Sequence, residues 1–206
     1  MEEIRAINDE TWNAAQTGEI AYWQAKQVKD GEPFKRLRYL KILAPYIGDT
    51  KDLVVVDVGA GPKGILHLIP FKIGVAIDPL MKKFKHAGYR LDLERFAAVQ
   101  GSGEDIPLPD FYADQVYSLN ALDHAQDAGK MFGEMVRIAK PGGMVCVIVD
   151  FRLPENRTPT HQMCLSNVFF DQMEAEHGLT KIVREEVKKC SGTAETGFLG
   201  VWRKKT

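Results

Sequence analysis

The spacing of apolar residues along this chain changes once, near residue 50. Before it, Trp12, Ile20, Tyr22 and Trp23 lie among polar residues. Leu37, Leu40, Ile42 and Leu43 then recur near helical spacing. Two helical segments are expected, the second closed by Pro45 and Gly48. After residue 50, short apolar runs alternate with amphipathic or turn-rich stretches. "LVVVDV" (53–58) reads as a buried strand, and Pro62 suits the start of a helix through "KGILHLI". "KIGVAID" (72–78), "FAAVQGS" (96–102), "ADQVYSLN" (113–120) and "MVCVIVD" (144–150) read as further strands. "PLMKKFKHAG" reads as a short helix or turn. "AGKMFGEMVRIAK" (128–140) is an amphipathic helix that "PGG" should stop, and "LSNVFFDQMEAEHG" is a helix ending at Gly178. "TKIVREEV" and "FLGVWRKK" look like two closing strands. The expectation is one α/β domain over 1–206. Residues 1–50 form a helical cap, and 51–206 form a Rossmann-like, doubly wound, mostly parallel seven-stranded sheet with helices on both faces.

Composition narrows the partners. The chain has 206 residues, 45% hydrophobic and 27% charged, with a net charge of −1. That is ordinary for one globular domain and offers no electrostatic footprint for nucleic acid or an anionic membrane. The apolar runs are strand-length, short of the roughly 20 residues a membrane helix needs. The N-terminus lacks an apolar stretch, and a cytoplasmic location is the default. Cys146, Cys164 and Cys190 are far apart and odd in number. No Cys/His ligand spacing occurs, so neither a disulfide framework nor a metal is expected. Cys146, inside "MVCVIV", reads as core.

In sheets of this kind ligands bind at the carboxyl ends of the strands. Candidate residues gather there: Asp57 to Gly64, Asp78, Ser102 to Asp105, and Asn120 to His124. Gly59, Gly61 and Gly64 have the G-x-G-x-x-G spacing of a dinucleotide loop, yet Asp57 stands two residues before the first glycine. A carboxylate there repels a pyrophosphate and favours a cation. S-adenosylmethionine, with its ammonium and sulfonium, fits better than NAD. Asp57 also admits a structural role, capping backbone N–H groups of the loop. Asp78, ending the second strand, suits the two ribose hydroxyls of an adenosine. It also admits the role of a cap on the next helix.

With "VVVDVGAGPKG", "GVAIDPL", "GSGEDIPLPD", "ADQVYSLNALDH" and "RIAKPGGMVCVIV" in this order, the chain resembles the class I S-adenosylmethionine-dependent methyltransferases over roughly residues 50–150. The resemblance implies S-adenosyl-L-methionine as cofactor. It sets Asp57, Gly59, Ala60 and Gly61 at the methionine part, with Asp78 and Pro79 at the ribose. Ser102, Gly103 and Glu104 would lie at the adenine, and Asn120 and Ala121 at the methyl end. Many relatives carry an aspartate where Ser102 stands, so Ser102 or Glu104 must supply that acceptor here.

Among the five histidines, His67, His86 and His177 read as structural. His124 follows the fourth strand, near where a methyl group would be transferred; it is a candidate catalytic residue that also admits a structural role. His161, in "NRTPTHQMC", falls on a loop after the fifth strand. It is the expected general base if the acceptor is a hydroxyl. Tyr22 and Trp23 suit either a lid over the cofactor or packing of the N-terminal helix. No added substrate domain is evident, which favours a small-molecule acceptor carrying a hydroxyl, amine or activated carbon. The alternatives are an NAD-dependent oxidoreductase or epimerase, which Asp57 opposes, and a catalytically inactive cofactor-binding partner subunit. The sequence leaves oligomeric state open.

Overall fold

A computed structural model describes residues 4–29, 35–89, 91, 93–189 and 194–206. Two helices open the chain, α1 (Asp9–Lys29) and α2 (Lys35–Ile47). Pro45 lies inside α2 rather than beyond it. It sits in the last turn, where the missing N–H costs one closing bond and not a mid-helix pair.

Seven strands follow: β1 (Val54–Val58), β2 (Ile73–Asp78), β3 (Ala97–Gln100), β4 (Ala113–Leu119), β5 (Ala139–Phe151), β6 (Thr180–Val187) and β7 (Thr196–Arg203). They form one sheet in the order β3-β2-β1-β4-β5-β7-β6. β1 to β5 are mutually parallel, and β7 runs antiparallel to both β5 and β6. The expected sheet is present, and strand order reverses between β1 and β4.

Three further helices pack on it: α3 (Met81–His86), α4 (Ala128–Ile138) and α5 (Asn167–Glu176). Asp127 caps α4 by accepting from the Lys130 N–H at 2.9 Å, and Ser166 caps α5 by accepting from the Val168 N–H at 3.1 Å. Alternate residues of the central strands face opposite layers. Val56, Val116, Val145 and Val147 meet Met131, Phe132 and Met135 of α4 and Phe169 and Phe170 of α5. Val55, Tyr117, Cys146 and Ile148 meet Leu43 and Ile47 of α2 and Met81 and Phe84 of α3. Continuous apolar strands follow from burial on both faces. Cys146 is buried as expected, Cys164 is buried too, and Cys190 lies outside the described residues.

Two expectations need correction. The stretch after the glycine turn is not an α-helix but two 3₁₀ turns, Gly61–Lys63 and Ile65–His67. Gly64, extended at ψ 173°, interrupts them. "PGG" does not lie between helix and strand either. β5 begins at Ala139 and carries Pro141 to Gly143 within it. The sheet supplies hydrogen-bond partners that the turn-like composition does not reveal.

Candidate functional site at the carboxyl ends of the strands

Asp57 is aligned with Ala76 of β2 and Tyr117 of β4, and it is fully buried. Its Oδ2 accepts from the Ile65 N–H at 2.8 Å. A Cβ on Gly64 would stand 2.2 Å from that oxygen, so only glycine lets the loop fold over the carboxylate. Asp78 closes the other side. Its Oδ2 accepts from the Gly61 N–H at 2.9 Å and its Oδ1 from the Leu80 N–H at 2.8 Å. The N–H groups of Gly59 and Ala60 both donate to the Ile77 carbonyl, at 2.9 and 3.1 Å. The loop-capping role open to Asp57 is therefore present, whereas the cap position of α3 is Leu80, so Asp78 ties down the turn before that helix rather than capping it. Pro79 follows Asp78 at the turn into α3.

The loop after β4 meets the glycine loop. A Cβ on Gly59, whose φ is +68°, would lie 2.3 Å from Ala121 Cβ. Asn120 has a φ of 59°, rare for a side chain, and its N–H donates to the Ile148 carbonyl at 2.6 Å. The Asn120 amide oxygen is buried and has no hydrogen-bond partner. Strained backbone with an unsatisfied buried acceptor marks a site at which a ligand donor is wanted.

Between β3 and β4 the chain runs as a loop. Ser102 donates its hydroxyl to Glu104, whose other carboxylate oxygen accepts from the N–H groups of Gln126 and Asp127 at 2.6 and 3.1 Å. Glu104 thus pins Ser102–Glu104 to the entrance of α4. A Cβ on Gly103 would stand 2.8 Å from Met131.

Past β4 and β5 lies a charged cluster in which Asp123 falls within the expected Asn120–His124 stretch, whereas roles for Asp150 and Arg152 were not anticipated. Asp123, Asp150 and Arg152 are all fully buried. Arg152 donates through Nη1 to Asp123 Oδ2, and its Nη2 lies 3.3 Å from Asp150 Oδ2. Burial pushes the Asp123 carboxyl up, but the neighbouring His124 and Arg152 outweigh it and hold the pKa below its ordinary value. His124 and His161 stand face to face, ring centroids 4.2 Å apart. His161 Nδ1 lies 2.9 Å from Thr158 Oγ1 and 3.1 Å from Thr160 Oγ1. Burial, with help from His124 and Arg152 against Asp123, pushes the His161 pKa down to about 3. The ring stays neutral at physiological pH. A polar signal was available for Asp150 and Arg152: they directly follow the apolar run of β5, at the carboxyl end of a central strand.

α1 crosses this cluster. Glu19 Oε2 lies 3.8 Å from His124 Nδ1, and Glu19 Oε1 accepts from the Trp23 indole N–H at 2.8 Å. Trp23 packs edge-on against Phe84 and Tyr89. Of the two roles expected for Trp23, packing of the helix is the one these contacts provide, while Tyr22 is 45% exposed. An open groove of ≈ 570 Å³ runs between α1 and the loop after β5, lined by Glu10, Thr11, Pro154, Arg157, Thr158 and Gln162 among others. His67 packs edge-on to Phe96, His86 ends α3, and His177 follows α5.

A family model described as "Methyltransferase domain" matches residues 56–147, which span β1 to β5 and both strained loops. A sterol 24-C-methyltransferase of Eremothecium gossypii is 29% identical over 82% of this chain and 46% of its own length. A chloroplastic 2-methyl-6-phytyl-1,4-hydroquinone methyltransferase of Arabidopsis thaliana is 31% identical over 47% of this chain and 30% of its own. The chain thus spans less than half the length of these curated relatives. Among solved structures, the [4+2]-cyclase SpnF superposes with a TM-score of 0.72 at 13% identity, covering 99% of this chain and 98% of that one. At that identity the likeness is one of fold alone, and the cyclase's presence shows that fold does not fix activity. Over residues 56–147 the chain is thus similar to the methyltransferase domain family, and the relatives it matches are named as methyltransferases.

Proposed function

We propose that the protein is an S-adenosylmethionine-dependent methyltransferase acting on a small-molecule acceptor. The observation that carries this is Asn120: a left-handed residue presenting a buried, unpartnered amide oxygen beside the buried Asp57 loop. An ammonium donor satisfies that oxygen, and a nearby carboxylate favours it. A pyrophosphate offers no donor and meets the Asp57 charge.

The residues fit the cofactor. Asp57, Gly59, Ala60 and Gly61 would hold its methionine part together with Asn120 and Ala121. Asp78 and Pro79 would hold the ribose, since the Asp78 carboxylate ends β2 beside the glycine loop, whose Gly61 N–H it accepts. Ser102 and Gly103, fixed by Glu104, would border the adenine. When bound, the cofactor supplies an electrophilic methyl carbon on a good leaving group, so alignment of the acceptor provides much of the acceleration. α1 and the loop from Asp150 to Met163 exclude water from the carboxyl ends of β4 and β5. The groove between them would admit an acceptor beside Thr158, which touches His161. With its pKa near 3, His161 is better suited to accept a hydrogen bond than to carry away a proton, which weakens its expected role as general base.

The relatives named for sterol and hydroquinone methylation support an acceptor of that small, oxygen- or carbon-nucleophile class. An NAD enzyme fits less well. The Tyr-x-x-x-Lys spacing that hydride chemistry often uses does occur, Tyr22 to Lys26, but it lies in α1, ahead of the sheet. Calorimetry with S-adenosylmethionine and NAD tests the reading, followed by turnover on a panel of sterols, quinols and phenols. The expected result is S-adenosylmethionine binding at one site with NAD far weaker. Tight NAD binding with no heat from S-adenosylmethionine overturns it. Cofactor binding without turnover on any acceptor favours a partner subunit.

A further inference from the structure

Asp123, His124 and His161 each bring one ligand atom to a common point, all within 4.8 Å of one another. Two imidazoles and one carboxylate with open positions are a donor set for a borderline first-row divalent cation. We propose that this cluster is a binding site for such a cation, with zinc as its representative.

Three observations carry the assignment. First, Asp123 is fully buried, and its two oxygens are used differently. Oδ2 takes the Arg152 guanidinium, while Oδ1 has no hydrogen-bond partner and lies 3.9 Å from His124 Nε2. A buried carboxylate oxygen without a donor wants a cation or a proton. Second, both rings are oriented from behind. Glu19 stands 3.8 Å from His124 Nδ1, and Thr158 and Thr160 hold His161 Nδ1. His124 brings its Nε2 to 3.9 Å from Asp123 Oδ1, and with Nδ1 of His161 on the threonines, its Nε2 would be the nitrogen left for a cation. Carboxylate or hydroxyl partners on the remote nitrogen are how metal-binding histidines are held. Third, the charges favour a cation. Glu19 stands beside His124, and Asp123 and Asp150 pair with Arg152, so three carboxylates against one guanidinium leave an excess of negative charge that a dication offsets.

Ligand atoms at about 2.1 Å from a cation stand at most about 4.2 Å apart, so closing the cluster takes shifts of under about 1 Å. Those are side-chain movements. Three protein ligands would leave coordination positions open, and Thr158, which lines the groove, touches His161. On the reading proposed above, an acceptor bearing a hydroxyl or phenol oxygen would fill those positions, and the cation would do the polarising that His161 alone does poorly.

The test uses the full chain after chelator treatment and dialysis. Zn²⁺ should bind by calorimetry at one per chain, and Mg²⁺ at least about 100-fold more weakly, because it prefers oxygen ligands. Co²⁺ should give visible absorption bands of a nitrogen- and oxygen-ligated site. His161→Ala and His124→Ala should each weaken Zn²⁺ about 10–100-fold and abolish the Co²⁺ bands. Asp123→Asn risks the fold through Arg152, so the histidine variants decide, with metal-free melting curves as the folding control. Absent Zn²⁺ binding, or unchanged affinity in folded His161→Ala, overturns the proposal and leaves a neutral histidine pair. The same samples titrated with S-adenosylmethionine separate the two readings. Cofactor binding without Zn²⁺ sinks only the metal site, and Zn²⁺ without cofactor binding sinks only the methyltransferase reading.

Discussion

Gly59 is held by a neighbour more than by a ligand. Its φ of +68° already disfavours any side chain, and a Cβ would meet Ala121 at 2.3 Å. The two contributions separate by experiment. Gly59→Ala should cost about 1–2 kcal/mol for the left-handed backbone and about 1–3 kcal/mol for overpacking. Adding Ala121→Gly should return the overpacking part and leave the backbone part. Urea unfolding of the two single variants and the double variant measures this, and full recovery in the double variant would show that the backbone conformation is not strained. Gly64 differs, because what fills its missing side chain is the Asp57 carboxylate itself. The sequence carries the spacing of these glycines but not the reason for each. For Gly59 that reason is Ala121, far along the chain, and for Gly64 it is the Asp57 carboxylate. The same holds for Asp57 and Asp78. Their positions at strand ends are legible, whereas their bonds to Ile65, Gly61 and Leu80 depend on how the loop closes.

The elements were legible where burial is two-sided and illegible where one long side chain replaces an element. β1, β2, β4 and the core of β5 announce themselves as apolar runs, and α4 as a stripe of Met131, Met135, Val136 and Ile138. The loop from Ile106 to Asp110 has no such pattern, yet it is fixed by Arg137 of α4. Arg137 donates to the carbonyls of Ile106 and Leu108 at 2.9 and 2.8 Å, to Asp110 at 2.8 Å, and through two nitrogens to Glu134 at 2.7 Å. Glu134 in turn accepts from the Ile106 N–H at 2.8 Å. The bond from Arg137, more than any other cause, holds the Glu134 carboxyl below its usual pKa. A depressed folded pKa contributes stability that is present above the unfolded value, near 4.5, and is lost as pH falls through the folded value. Urea unfolding from pH 6 down to pH 3 should therefore show a steeper loss for the parent than for Glu134→Gln. At pH 6 that variant should be weaker by about 1–2 kcal/mol, discounted for partial exposure. Parallel pH profiles would remove Glu134 from the account of acid stability. The Asp123–Arg152–Asp150 group escaped the sequence for a related reason. Its members come from two different strand ends, and only the β4–β5 pairing brings them together.

At the scale of the whole molecule, the site is closed by a segment that precedes the sheet. α1 touches it from end to end: Trp23 against Phe84 and Tyr89, Glu19 near His124, and Gly18 so close to Thr160 that a Cβ would stand 3.0 Å from its methyl. The chain before α1 is tied down as well, by Ala6 bridging Asp127 and Ile4 bridging Cys164. Yet α1 gives the main cores few buried apolar side chains, Ala15 being its one buried hydrophobic among the described residues. A helix held by a few contacts and backed by little burial is the kind of unit that opens locally before the domain unfolds. Trp23 is its largest anchor. Trp23→Ala should raise amide hydrogen exchange throughout α1 while leaving the amides of β1, β4 and β5 as protected as in the parent. It should also speed cofactor release in stopped-flow displacement, because a cover that opens more often lets ligand escape sooner. If α1 and the central strands instead lose protection together, α1 is an integral layer of the fold. Ligand release would then not depend on opening of α1.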